Sequence, residues 1–273
     1  MARFLPVLAL TLIVAGISAS SQRRPALLAG VDHVPVAVRD LEKAGDIYRR
    51  LGFVLKPGMP HANGIRNLHA KFPDGTEIEL ITAPKAIDQL TQTYVDHLKQ
   101  GDGPAFLALH APYGRALAEA VSDDHPARRY IFFGGLNHSP TDRPEHFQHP
   151  NTAESLISVW LAADDFTNEL DLLARAAVAP PQPATVFAPA ETRASVTAFK
   201  DSSVVFLPGS HQTVPGRRIV GATVRVRDLD AAAKALRAGG VAVPAVTAVP
   251  GGRSLFIPPA SAVGWWLELR APK

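Results

Sequence analysis

The sequence predicts an α+β protein made of repeated βαβββ modules, their sheets curled into half-barrels with helices outside. Three observations lead there. Residues 31 to 81 alternate apolar and polar side chains as strands do, interrupted by one short amphipathic helix and a Gly stop. A segment near the C-terminus repeats that pattern. Between them lie weaker strand–helix–strand patterns, so the chain reads as four units in two pairs.

The first unit opens with the alternating strand Val31 to Val38. A helix through Ala44 and Tyr48 follows, Leu51-Gly52-Phe53 stops it, and the last strand is Thr76 to Ile81. The second unit takes a strand at Ala105 to His110, a helix at Gly114 to Val121 and a strand at Arg129 to Phe133. The third begins with the strand Leu156 to Leu161. Asp165 is a plausible N-cap for a helix over Phe166 to Ala177, and short strands follow at Ser195 to Phe199 and Val204 to Leu207. The fourth spans Arg218 to Pro272. Its segment Ala222 to Asp230 echoes Val34 to Glu42, and aligning Asp40 with Asp228 gives an offset of 228 − 40 = 188. Gly264 to Leu269 echoes Thr76 to Leu80 after a one-residue insertion.

Pro180 to Pro183 and Leu207 to Ser210 are turn-rich joins. The polar, Pro-rich stretch Asn137 to Asn151 reads as a loop over the site, since long loops in compact domains are often functional. The expected paired-module domains are 29–152 and 153–273, after a leader of residues 1–21.

Strand geometry places His33 on one face with Pro35 and Ala37, opposite Val34, Val36 and Val38. Glu79 and Glu77 share a face of the last strand. A carboxylate turned into a half-barrel is costly unless paired or metal-bound. A His and a Glu brought face to face on two strands make half of a divalent-metal site.

The segments Asp32-His33-Val34, Arg39-Asp40-Leu41, Leu51-Gly52-Phe53 and Glu79-Leu80 resemble the vicinal oxygen chelate superfamily. That group includes glyoxalase I, extradiol dioxygenases, fosfomycin-resistance proteins and glyoxalase-like proteins. The middle of the unit, His61 to Asn67 and then Phe72 to Gly75, is most similar to the glyoxalase-like branch. The resemblance implies His33 and Glu79 as metal ligands, with Glu79 also able to move a proton. It leaves Glu77 without a role. His149, in Phe147-Gln148-His149-Pro150-Asn151, resembles a short motif near the family's metal pocket and is the expected third ligand. His61, His69, His110, His138 and His146 are further histidines within reach in sequence.

The pattern departs from the family's full ligand set. Under the repeat offset the counterpart of His33 is Gly221, which cannot ligate, and the third unit offers Ile157 or Ser158 there. Only Glu268 keeps a carboxylate. His61, Asn63, Arg66 and Asn67 are the expected substrate contacts. Arg66 suits a carboxylate or phosphate through its bidentate fork, while Ala62-Asn63-Gly64 equally makes a good turn.

Composition excludes several classes. With 273 residues, 47% hydrophobic and 19% charged, the chain is globular. A formal net charge of +3 without a clustered basic face or interleaved aromatics argues against nucleic acid. Cys is absent, so disulfides, thiolate metal sites and Cys nucleophiles are excluded. Phosphate-binding Gly-Lys-Ser/Thr loops and nucleophile elbows are absent as well. Met1-Ala2-Arg3, the apolar run Leu5 to Gly16 and the small residues Ser18 to Ser21 read as a secretory signal peptide. The apolar run is too short for a comfortable membrane span, and the alternative reading is an uncleaved N-terminal anchor.

The expectation is therefore an exported, periplasmic or secreted protein with no stable membrane insertion after cleavage and a possible homodimer. Its activity would be that of a divalent-metal-dependent lyase, isomerase or dioxygenase on a small vicinal-oxygen substrate, with Zn, Ni, Fe or Mn. The alternatives are a metal-free binding or sequestering protein on the same fold and an interaction module of the cell envelope.

Overall fold

Alternation and capping build the first module. The computed structural model describes residues 25–272, so the apolar N-terminal segment read as a signal peptide lies outside the described residues. The first module consists of β1 (Gly30–Ala37), α1 (Leu41–Arg50), β2 (Lys56–Pro57), β3 (Arg66–Lys71) and β4 (Glu77–Thr82). Asp40 starts α1 by accepting the Lys43 amide at 3.0 Å, satisfying a donor the first helical turn leaves free. Gly52 (φ 85°) then turns the chain out of the helix in a conformation that favours glycine.

The second unit follows α2 (Gln89–Leu98) and the short β5 (Gly103–Pro104). It contains β6 (Leu107–His110), α3 (Gly114–Ala120) and β7 (Ile131–Gly134), and stops there. In place of two further strands, a loop with a short 3-10 helix at Pro144–Phe147 leads to the third unit. That unit is β8 (Ala153–Ala162), α4 (Thr167–Arg175), β9 (Gln182–Phe187), β10 (Glu191–Ala198) and β11 (Ser203–Leu207). The fourth is β12 (Ile219–Val226), α5 (Leu229–Ala238), β13 (Thr247–Val249), β14 (Gly252–Ile257) and β15 (Trp266–Pro272). Helices α1 and α5 start 229 − 41 = 188 residues apart, the offset read from the sequence. Asp228 caps α5 through the amides of Asp230 and Ala231.

Two sheets result. The first runs β2-β3-β4-β1-β6-β7, with β5 also beside β1, and the second runs β13-β14-β15-β12-β8-β11-β10-β9. In each complete module the first strand lies parallel to the last, and the first strands of neighbouring modules pair antiparallel. Helices α1 and α5 pack on one face of their sheets, α1 against β3 and β4 and α5 against β14 and β15, while α2 packs through Tyr94 and Leu98 on Ala37, Ile65 and Ile81 at the other face of the first sheet. One apolar core runs through both halves, from Val34, Val36 and Ile78 to Leu161, Val224 and Leu269. The α+β class with βαβββ modules is the architecture of the chain.

The structure departs from the sequence expectation in three places. Helix α2 and strand β9 occupy segments read without structure or as a turn-rich join. Edge strand β9 keeps Pro183 because a proline lacking its donor is tolerated at an edge. Helix α4 starts at Thr167 with Phe166 in the cap position, although Asp165 still accepts the Thr167 amide at 2.8 Å.

Candidate functional site

A bulge decides what the first sheet presents. The pairing of β1 with β6 shifts register between Val31 and His33, leaving Asp32 as the extra residue. Val31 joins the core with Val34 and Val36, while His33 turns to the face opposite α1. There it meets the β3 side chains Asn67, His69 and Lys71 and the β4 side chains Glu77 and Glu79, which alternation also puts on that face. These six line a pocket of about 550 Å³, bordered by Lys56, His61 and the loop residues Leu136 to Ser139.

Strand pairing sets each contact. His33 Nε2 lies 3.8 Å from Glu79 Oε2, close enough for an ion pair and too far for a hydrogen bond. The other Glu79 oxygen accepts the Asn67 amide at 2.5 Å. Glu77 pairs with His69 Nδ1 at 3.1 Å and accepts Asn137 Nδ2 on both oxygens. Asp32 is fully buried, and its Oδ1 stands 3.2 Å from His33 Nδ1 without hydrogen-bond alignment. Neither Asp32 oxygen has a hydrogen-bond partner among the described residues.

These charges move the titrations. Burial opposes a charge on His33, but Asp32, then Glu79 and Glu77, outweigh it and raise its pKa above the ordinary imidazole value. Burial likewise opposes ionisation of Glu77, and His69, His33 and Asn137 together lower its pKa. Three carboxylates, Asp32, Glu77 and Glu79, therefore surround two imidazoles at the base of the pocket.

The donor chemistry suits a first-row divalent ion in kind. Bonds of about 2.0–2.2 Å put neighbouring ligands roughly 3–3.5 Å apart, so His33 and Glu79 stand slightly wide of that spacing. They are two donors. No group of three His, Asp or Glu side chains is gathered for one ion among the described residues. His69, the next imidazole in the pocket, has Nδ1 engaged by Glu77.

His149, expected as third ligand, is placed elsewhere. Its Nδ1 accepts the Val54 amide at 2.9 Å, and its Nε2 pairs with the Lys71 carbonyl at 2.8 Å. The two bonds define a neutral tautomer with the proton on Nε2. Burial lowers its pKa against the Lys71 bond, and the ring packs edge-on between Phe53 and Phe72. No ring nitrogen is left to ligate. Of the expected substrate contacts, His61 and Asn67 line the pocket and Asn63 and Arg66 do not. Asn63 bonds Asp88, the N-cap of α2, and receives the Ile65 amide, so it holds a turn. Arg66 precedes Asn67 on β3 and so faces the other side. Asp32 stands in the motif Asp32-His33-Val34 without a site role of its own there, and Lys56, Lys71 and Asp142 carry no local signal in the sequence. The bulge that turns Asp32 inward depends on β6, which the local pattern does not reveal.

Among the described residues, strands β6 and β7 add no further donor to this pocket. Beside His33, β6 and β7 place Ala108 and Phe132, and Phe132 stacks edge-on to His33 with centroids 5.3 Å apart. His110, two residues on from Ala108, pairs with Gly30 and lines a different pocket. The second sheet repeats the bulge, with Val220 as the extra residue, and reverses the sizes. Where His33 faces Ala108, Gly221 faces Trp160. The Trp160 ring fills the space above Gly221, and its Nε1 donates to Thr223 Oγ1 at 3.1 Å. Glu268 is fully buried and bonded by Thr223, Ser254 and Arg270. Around it that face is an apolar cluster of Trp160, Val205, Leu207 and Phe256.

Residues 31–125 match the glyoxalase-like domain family. No curated protein sequence matches the chain. Among solved structures it is similar to a triple mutant of 4-hydroxymandelate synthase from Streptomyces coelicolor. The TM-score is 0.65 at 11% identity, covering 90% of this chain and 93% of that one. It is also similar to a xylose isomerase-like TIM barrel/4-hydroxyphenylpyruvate dioxygenase fusion protein. There the TM-score is 0.64 at 12% identity, over 92% of this chain and 50% of that chain. The chain thus spans half the length of the fusion protein. At such identities these two likenesses establish the fold. The chain thus has the fold of these two proteins, and its residues 31–125 match the glyoxalase-like domain family.

Proposed function

We propose that this chain is an exported enzyme of the dioxygenase or lyase/isomerase type that acts on a small molecule with vicinal oxygens. Its reaction centre is the polar pocket of the first sheet. The observation that carries the reading is the His33–Glu79 pair, which faces an open pocket 3.8 Å apart with no hydrogen bond between the two groups. The buried, unbonded Asp32 carboxylate beside His33 adds negative charge that favours a cation. His33 and Glu79 are the residues that would hold a divalent ion, and when bound the ion would supply Lewis-acid polarisation of the substrate oxygens. Asn67 fixes the Glu79 carboxylate through one oxygen and leaves Oε2 directed at the substrate space, where it can take and return a proton. Phe132, edge-on to His33, helps exclude water from the floor.

A second reading, a metal-free binding protein on this fold, draws support from the lack of a third gathered donor among the described residues. The two readings separate by turnover. Purified mature protein is screened with catechols, 1,2-diketones and hydroxy-carbonyl compounds, with and without added Fe²⁺, Mn²⁺, Ni²⁺ or Zn²⁺. Metal-dependent turnover that Glu79→Gln lowers at least a hundredfold supports the enzyme. Saturable binding of these compounds that persists with a chelator, without turnover under any metal, supports the binding protein.

A further inference from the structure

The loop from Gly135 to Arg143 stands where the second unit lacks its outer strands, and it borders the pocket. One carboxylate anchors it. Asp142 Oδ1 lies 2.5 Å from Lys56 Nζ, and Oδ2 lies 2.6 Å from Lys71 Nζ. The Ser139 amide donates to Oδ2 at 2.9 Å, and Lys71 Nζ also donates to the Asn137 carbonyl at 2.7 Å. Lys71 is fully buried, and the Lys56 side chain is 12% exposed.

A buried ammonium needs an anionic partner, and breaking such a pair is far more costly than forming it is favourable. Among the described residues Asp142 is the only carboxylate paired with either lysine. Glu77 and Glu79, in the same pocket, are committed to His69, Asn137, Asn67 and His33. The two cations stand on hydrogen-bonded strands, since Lys56 pairs with His69 and Pro57 with Leu68 across β2 and β3. The anion stands on a loop, just after the turn at Pro140 and Thr141. The fixed part is thus a two-ammonium cradle inside the pocket, and the removable part is the carboxylate.

We propose that Lys56 and Lys71 form a carboxylate subsite of this pocket, that Asp142 fills it in the resting protein, and that a carboxylate-bearing small molecule exchanges with Asp142 and releases the loop. The inference rests on the pocket being the functional site; it does not require a bound metal. Burial opposes ionisation of Asp142, but the two lysines and the Ser139 amide outweigh it and hold its carboxyl well below the usual range. The internal carboxylate is therefore ionised at neutral pH, and an incoming anion must compete with it. The same exchange fixes the substrate class, a small molecule with an anionic end remote from its vicinal oxygens. It also makes opening of the loop a consequence of correct binding.

The test uses benzoate on chelator-treated full-length mature protein, with calorimetry for affinity and amide hydrogen exchange for the loop. Asp142→Asn is expected to bind benzoate at least tenfold more tightly than wild type, and Lys71→Met added to it is expected to remove that gain. In wild type, saturating benzoate is expected to speed exchange over residues 135–143, and Lys56→Met is expected to blunt that response. No gain in Asp142→Asn, or a gain that survives Lys71→Met, overturns the proposal. Should Asp142→Asn fail to fold, unchanged wild-type exchange under benzoate overturns it alone. Protein that contains no metal yet shows the benzoate response loses the metal reading and keeps the subsite. Protein that contains metal and shows no response loses the subsite alone.

Discussion

Gly221 and Trp160 are coupled by size, and a double-mutant cycle measures it. A Cβ on Gly221 would overlap the Trp160 indole, meeting Cδ2 and Cζ3 at 3.0 Å and Cε3 closer still. The ring is 3% exposed, its Nε1 is held by Thr223, and Phe256 packs beside it, so it has little room to retreat. Overpacking by one methyl in such a place costs about 1–3 kcal/mol. Trp160→Ala costs about 3–5 kcal/mol through the cavity it leaves. In the double variant the methyl enters that cavity, and the cost of Gly221→Ala falls to near zero. The predicted coupling is therefore about 1–3 kcal/mol in favour of the double variant, read from urea unfolding of the four proteins. Additive costs within about 0.5 kcal/mol would refute the claim that a filled space separates the second sheet from the first.

His149→Ala removes two hydrogen bonds to backbone and a ring packed against Phe53 and Phe72. It is expected to destabilise by about 2–4 kcal/mol in chemical denaturation while leaving metal content unchanged. Tyr48→Phe strips the Trp265 indole of its acceptor at 3.0 Å in a fully buried place, with an expected loss of about 1–3 kcal/mol by the same measurement. His97 carries a pH signature. Burial, then the charge of Arg217, push its pKa down from 6.5 to about 4, against a bond with the Gly103 backbone. The unfolded chain keeps the ordinary value, so between those limits it binds a proton that the folded protein does not, and stability falls as pH falls. At about 1.36 kcal/mol per unit the shift sets a ceiling near 3 kcal/mol, of which solvent screening leaves about 1–2. His97→Gln is expected to flatten stability against pH in that window, and an unchanged slope would contradict the assignment.

Much of this architecture is legible in the sequence because it is local. The 188-residue offset survives in α1 and α5, down to capping by Asp40 and Asp228. Strand alternation puts His33 and Glu79 on one face, where they approach. What escaped reading depends on distant pairing. Asp32 turns inward because β6 forces a bulge seventy-odd residues away in sequence. His149 follows a short motif, yet its partners are the backbone of Val54 and Lys71, set by how the loop packs after folding. Lys71 resembles an ordinary exposed strand lysine until Asp142 is brought to it across 142 − 71 = 71 residues. Pro183 in an edge strand looks like a join, since proline is a turn signal unless the missing hydrogen bond falls on the open side.

Metal content of the mature protein, measured by elemental analysis for wild type, His33→Ala and Glu79→Ala, tests the central claim most directly. Close to one divalent ion per wild-type chain is expected, retained in His149→Phe and lost from both pocket variants while their folds persist. Wild-type protein that takes up no stoichiometric metal on reconstitution, or pocket variants that keep it, would contradict the assignment of His33 and Glu79.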